Sequence, residues 1–189
     1  MNVLAVIPAR ENSKRIPNKT LRLVNNHPLI YYVIKNALES KYISRIIVTT
    51  NSKEIEILCN QLGVECLIRN PALCTDDTTL DAVVYDVVRR CECDYVVTLQ
   101  PTSPLLKVDS LDRAIEKMMA DKLDTLISVV NYPRLRWIKD ETGVVPTYKE
   151  RVNSQYLRPH YQETGAFIIS KKNVTTELSL IHISEPTRL

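Results

Sequence analysis

Four cations lie within ten residues near the start of the chain: Arg10, Lys14, Arg15 and Lys19, with Asn12 and Ser13 among them. No long apolar stretch is mixed in to bury the charge. A guanidinium grips two oxygens through its planar fork, and an ammonium adds a compact point charge. One such cation ~4 Å from a phosphate contributes ~4 kcal/mol at an effective dielectric of 20. The loop is therefore suited to holding a polyphosphate, and we read it as a cradle for a nucleotide triphosphate. Neither glycine pattern known for this task is present. Gly63, Gly143 and Gly165 are the three glycines of the chain, and none is in the loop. Ordinary kinase and dehydrogenase readings are thereby excluded.

Two further stretches carry polar groups at breaks in the pattern. Arg69 is followed by Asp76, Asp77, Thr78 and Thr79, placed just before an apolar periodic run. Asp and Thr there suit a helix N-terminus, and the same groups can meet a ligand. Gln100-Pro-Thr-Ser-Pro104 is a turn stiffened by two prolines, with Gln100 at its head.

The elements that must position these residues alternate in type. An apolar strand over Val3–Ala9 delivers the cationic loop. The spacing predicts a helix over Pro28–Ser40 that is apolar on most sides (Leu29, Ile30, Tyr31, Val33, Ile34, Ala37 and Leu38) and so well buried, and a strand over Arg45–Thr50. A helix capped by Ser52 and stopped by Gly63 follows, then a strand over Val64–Ile68. Leu80, Val83, Val84, Val87, Val88 and Cys91 recur at helical spacing, with Asp81, Asp86, Arg89 and Arg90 expected outside. A strand over Asp94–Leu99, a helix over Val108–Ala120 and a strand over Thr125–Val130 complete the alternation. From Asn131 to Tyr161 the pattern loosens, and Ala166–Ser170 reads as a last strand. Alternating strands and helices imply a mostly parallel, Rossmann-like sheet with helices on both faces, a three-layer α/β/α architecture. Ligands bind such sheets beyond the carboxyl ends of the strands. Those ends carry Arg10 to Lys19, Thr50-Asn51, Arg69 to Thr79 and Gln100 to Pro104.

Composition bounds the rest. With 189 residues, 44% hydrophobic and 25% charged, the chain reads as one globular domain. A net charge of +3 is too weak to point to nucleic acid. No run reaches the ~18 apolar residues of a membrane span. The start has no basic leader region, so a cytoplasmic protein is expected. Five cysteines (Cys59, Cys66, Cys74, Cys91 and Cys93) are an odd number without zinc spacing, and are expected to pack. Leu178 to Leu189 neither continues a helix nor pairs with a strand. It resembles translated sequencing adapter, so residues 1–177 are expected to be an incomplete domain and 178–189 a non-native tail.

Three segments together resemble the acylneuraminate cytidylyltransferases: Ile7-Pro-Ala-Arg-Glu-Asn-Ser-Lys-Arg-Ile-Pro-Asn-Lys19, Leu99-Gln-Pro-Thr-Ser-Pro-Leu105 and Tyr161-Gln-Glu-Thr-Gly-Ala-Phe167. A weaker fourth is Arg69 with Leu73-Cys-Thr-Asp-Asp-Thr78. The resemblance implies the fold of the nucleotide-diphospho-sugar transferases. It also implies a reaction in which the anomeric hydroxyl of a sialic- or legionaminic-type nonulosonic acid attacks the α-phosphorus of CTP and pyrophosphate leaves. The alternatives are an octulosonic acid or other sugar as acceptor, or a non-catalytic nucleotide-binding module.

On this resemblance Arg10, Lys19 and Gln100 are the catalytic candidates. Arg10, Asn12, Ser13, Lys14, Lys19, Thr20, Arg69, Asp77, Thr78 and Thr79 would hold the nucleotide, with Arg69 donating to cytosine O2 and N3. Gln100, Thr102, Ser103, Gln155, Tyr161 and Glu163 would face the sugar acid. Ser154 stands where relatives place an arginine, which Arg151 or Arg158 could replace. The family implies Mg²⁺ on carboxylates expected beyond the end of this chain, so the chain alone is expected to be inactive. A homodimer is implied for the complete protein.

Overall fold

The computed structural model describes residues 1–11 and 16–180; Asn12, Ser13, Lys14 and Arg15 lie outside the described residues, as does 181–189. The first strand, β1 (Val3–Pro8), is followed by the two-residue strands β2 (Leu23–Val24) and β3 (His27–Pro28), which pair antiparallel. Then come α1 (Leu29–Glu39), β4 (Arg45–Thr50), α2 (Lys53–Leu62) and β5 (Glu65–Ile68). They are followed by α3 (Leu80–Val88), β6 (Tyr95–Leu99), α4 (Val108–Ala120) and β7 (Thr125–Asn131). A hairpin, β8 (Trp137–Asp140) and β9 (Gly143–Pro146), and the long β10 (Tyr161–Lys171) close the order.

The main sheet runs β5-β4-β1-β6-β10-β7. Strands β5, β4, β1 and β6 are mutually parallel, while β10 enters antiparallel to β6. The mostly parallel sheet expected from the alternation is present, with β10 reversed against β6. The sheet's two faces account for the alternation along β1. Val3, Ala5 and Ile7 pack with Ile30, Val33 and Ile34 of α1, Ile55 and Cys59 of α2, and Leu111, Ile115 and Met118 of α4. Leu4 and Val6 point the other way, against Val84, Val87 and Val88 of α3. Each buried set recurs at three- and four-residue spacing, which puts it on one stripe of its helix.

Helix ends follow their local chemistry. Ser52 Oγ accepts from the Ile55 amide at 3.4 Å, and Glu54 and Glu56 in the first turn complement the helix dipole. Gly63 ends α2 at φ 69°, a left-handed conformation that a side chain would strain. Burial pushes the Cys59 thiol up to about 12, which fits packing rather than reactivity.

Three expectations need correction. Leu38, expected to be buried with the rest of α1, is half exposed because it lies off the stripe formed by Ile30, Val33, Ile34 and Ala37. Asp86, expected on the outer face of α3, is buried. Arg89 and Arg90 fold back from the helix end to satisfy it, at 2.6 and 2.8 Å. Third, the last strand starts at Tyr161 rather than Ala166, and the loosened stretch contains the β8–β9 hairpin. Leu180, in the stretch set apart from the domain, is buried with the α3 cluster, and its amide donates to Asp81 at 2.6 Å.

Burial alone would raise the Asp86 carboxyl, but hydrogen bonds from Arg89 and Arg90 outweigh it and hold the group below its ordinary 3.8. A depressed carboxyl stabilises the fold above its unfolded-state value and loses that contribution as pH falls through the folded-state value. Asp86→Asn is therefore expected to cost about 1–2 kcal/mol at neutral pH and to flatten the acid arm of stability. Urea unfolding followed from neutral pH down through the carboxylate range checks both.

The chain divides into two compact units, Met1–Ile127 with Gly165–Leu189, and Ser128–Thr164. Within the second, Thr164 Oγ1 bonds Ser128 Oγ at 2.7 Å, and the Tyr132 amide donates to the His160 carbonyl at 2.7 Å. Trp137 meets Tyr148 edge-on at 6.1 Å.

Candidate functional site

Parallel strands β1, β5 and β6 all end at the same rim of the sheet, and each hands a polar residue to it. Arg10 follows β1, Arg69 follows β5, and Gln100 follows β6. A cleft of about 550 Å³ opens there. Its cationic and polar lining is Arg10, Lys19, Thr20, Arg69, Asp76, Asp77, Thr78, Thr79, Gln100 and Thr102; Ile16, Leu73, Leu80 and Val83 give it an apolar wall. A lining that combines cationic, polar and apolar groups suits a ligand with a charged part and a flat apolar part.

Each member has a local reason for its place. The Ala9 amide donates to the Thr49 carbonyl at 3.0 Å and the Glu11 amide to Asn51 Oδ1 at 3.0 Å, which ties the chain on both sides of Arg10 to the end of β4. Asn18 adopts a left-handed φ of 50°, turning the chain into the short 3-10 helix Lys19–Leu21. Arg69 is anchored by its amide on the Thr50 carbonyl at 2.7 Å, and its Nη2 donates to the Thr49 carbonyl at 2.8 Å. Thr79 caps α3 by accepting from the Ala82 amide at 3.2 Å, as expected of this turn, and it also lines the cleft.

Gln100 is held from two directions. Its amide donates to the Ala166 carbonyl at 3.2 Å, and its carbonyl accepts from the Ser103 amide at 3.2 Å. Gly165, at φ 70°, lies against its side chain: a Cβ there would sit 3.5 Å from Gln100 Nε2. That is ordinary van der Waals contact, so the left-handed backbone, not the approach of Gln100, is what calls for glycine.

The electrostatics are unusual for an empty cleft. Arg69 is 5% exposed, and desolvation lowers its pKa, with the Arg10 charge adding to the effect. Among the described residues its guanidinium bonds only Thr49. Arg10 is paired with Asp76, Nη1 to Oδ1 at 2.9 Å. The Thr20 hydroxyl is buried in the same lining with no hydrogen-bond partner among the described residues. A buried orphan hydroxyl and a buried guanidinium without a carboxylate are each costly unless a ligand completes them.

Of the residues expected to serve the site, Arg10, Lys19, Thr20, Arg69, Asp77, Thr78, Thr79, Gln100 and Thr102 are brought together. Asn12, Ser13 and Lys14 lie outside the described residues. The Gln100 turn leaves Ser103 out of the lining, because its amide is spent closing that turn. Gln155, Tyr161 and Glu163 belong to the second unit, where all three are exposed. Asp76 had no assigned role in the sequence. Its place beside Asp77 was a signal, but the salt bridge to a residue 66 positions away was not readable.

Asp76 and Asp77 are the carboxylates that line the cleft, and Asp76 is paired with Arg10. No group of three His, Cys, Asp or Glu side chains converges among the described residues.

Comparison with known proteins follows the same line. The family model described as cytidylyltransferase matches residues 4–177. The N-acylneuraminate cytidylyltransferase of Streptococcus agalactiae serotype V is 31% identical over 91% of this chain and 44% of its own length. The CMP-N,N'-diacetyllegionaminic acid synthase of Legionella pneumophila is 38% identical over 61% of this chain and 53% of its own. The chain thus spans about half the length of these relatives. Among solved structures, a CMP:2-keto-3-deoxy-manno-octonic acid synthetase complexed with CTP superposes with a TM-score of 0.73 at 19% identity, covering 98% of this chain and 80% of that one, a likeness of fold. With its fold, its cleft and a family match along nearly all of its described length, the chain belongs to the cytidylyltransferase family.

Proposed function

We propose that the cleft binds CTP and serves transfer of CMP to the anomeric hydroxyl of a sialic- or legionaminic-type acid, with release of pyrophosphate. The observation that carries this reading is the convergence of Arg10, Lys19, Arg69 and Gln100 on one cleft at the strand ends. Arg10 and Lys19 neutralise the β- and γ-phosphates, where charge grows as pyrophosphate leaves. Arg69, dry and fixed on Thr49, donates to cytosine O2 and N3. Leu73, Leu80 and Val83 supply the apolar wall for the base. Gln100, held in place by Ala166 and Gly165, orients the attacking hydroxyl or the α-phosphate through its amide.

The names of the relatives support sialic and legionaminic acids as acceptors, and a 30% identical 3-deoxy-manno-octulosonate cytidylyltransferase of Bdellovibrio bacteriovorus supports an octulosonic acid as the alternative. For this chain by itself we propose CTP binding without turnover, since it spans about half the length of the relatives named for the reaction. A homodimer belongs to the same reading and rests on the resemblance; a cytoplasmic location is proposed with it. The test has two parts. Calorimetric titration of this chain should show CTP binding. The protein expressed from its genomic reading frame, given CTP, Mg²⁺ and each sugar acid in turn, should release pyrophosphate with one of them. Binding without release under every acceptor would leave a nucleotide-binding module.

Thr20 gives an independent check. Thr20→Val removes a hydroxyl that has no hydrogen-bond partner among the described residues. It is expected to raise stability by about 1 kcal/mol while weakening CTP binding by about 3- to 10-fold. Thermal melts with and without CTP read both effects. A hydroxyl of purely structural value would make the melting temperature fall instead.

A further inference from the structure

The pair between Arg10 and Asp76 joins the loop after β1 to the loop before α3, two walls of the cleft that are distant in sequence. Both side chains are reachable from solvent, at 35% and 42% exposure. Arg69 lies close enough to Arg10 for the two positive charges to disfavour one another. Without a paired carboxylate Arg10 would meet the charge of Arg69 with no anion against it, since Asp77 lines the cleft but does not pair with Arg10 among the described residues. Asp76 supplies that anion, on the same fork that a phosphate would use. A ligand oxygen and the Asp76 carboxylate therefore compete for Arg10 Nη1.

We propose that Asp76 is the resident counter-ion of Arg10: it holds the guanidinium across the open cleft and gives it up to a polyphosphate. Asp76 is then a positioning residue that acts through Arg10 and sets the affinity threshold of the site. A multiply charged tail displaces the carboxylate because it offers more negative charge to the same fork, whereas a singly esterified phosphate displaces it poorly. After reaction, the carboxylate reclaims Arg10 and weakens the hold on pyrophosphate. This inference rests on the nucleotide reading of the cleft.

Titrations of CTP, CMP and inorganic pyrophosphate into the wild type, Asp76→Asn and Asp76→Glu, each also in an Arg10→Ala background, test it. Asp76→Asn should bind CTP and pyrophosphate about 5-fold tighter, the scale of a part-exposed ion pair. It should gain most for CMP, so the preference for CTP over CMP narrows. Asp76→Glu keeps the charge and should stay within about twofold of wild type for CTP and pyrophosphate. Once Arg10 is alanine, the Asn substitution should change affinity by less than about twofold. Unchanged or weaker binding by Asp76→Asn would overturn the proposal, as would a full gain that persists without Arg10. A wild-type chain that binds pyrophosphate but not CTP would overturn the nucleotide reading and leave the counter-ion role measured on pyrophosphate. One that binds neither would overturn both.

Discussion

Arg10→Ala is expected to weaken CTP binding by about 30- to 100-fold with little change in stability. The size follows from losing charge-assisted hydrogen bonds to an anion, each about 1.5–3 kcal/mol. The small stability effect follows from the exposure of the Arg10–Asp76 pair, since such pairs contribute about 0–1 kcal/mol to folding. Arg10→Lys should recover only part of the affinity, because an ammonium keeps the charge but cannot fork. Titration at two salt concentrations gives a second reading. Salt dependence of CTP binding should shrink in the alanine variant, since one fewer cation is screened. An affinity loss matched by an equal loss of melting temperature would mean that Arg10 holds the loop rather than the ligand.

The second large effect is expected at Arg69. Arg69→Met keeps similar bulk and removes a buried cation that has no carboxylate partner among the described residues. The loss of its bond to the Thr49 carbonyl works against that gain, so net stability should move by no more than about 1 kcal/mol. CTP affinity should fall by about 30-fold, and the preference for CTP over UTP should fall with it. Cytosine N3 accepts a hydrogen bond, whereas the uracil N3–H is a donor that faces the guanidinium unfavourably. A site built around one hydrogen-bond pattern rejects the other strongly, and it loses that rejection when the donor is removed. Competition titrations with CTP and UTP on both proteins measure the change. An unaltered CTP/UTP ratio would remove Arg69 from base recognition even if affinity dropped.

Both residues show where sequence reading succeeds and where it stops. Arg10 was legible because a buried parallel strand can only deliver its following loop to the carboxyl rim. Arg69 and Gln100 were legible for the same reason, each being the first residue after a strand of that sheet. The alternation of Val3, Ala5 and Ile7 with Leu4 and Val6 followed from a strand buried on both faces, so the three-layer architecture could be read before any contact was known. The Arg10–Asp76 pair could not be read, since it depends on the relative heights of two loops 66 residues apart. Burial of Asp86 was missed because helical spacing marks a polar residue as outward. Here two arginines at the helix end supply what burial takes away. The β8–β9 hairpin escaped notice because Trp137, Ile138 and Val144 are exposed, and exposed strands lack the in-out alternation that marks a half-buried one.

A nucleotide triphosphate site at the strand ends is tested most directly by an amide and side-chain NMR titration of the chain with CTP. Shifts should concentrate at Arg10, Lys19, Thr20, Arg69, Thr78 and Gln100, and saturate together with one dissociation constant. The opposite end of the sheet, around Asn2, Asp94 and Lys172, should stay still. Saturable shifts confined to that opposite end, with Arg10, Arg69 and Gln100 unmoved, would contradict the claim.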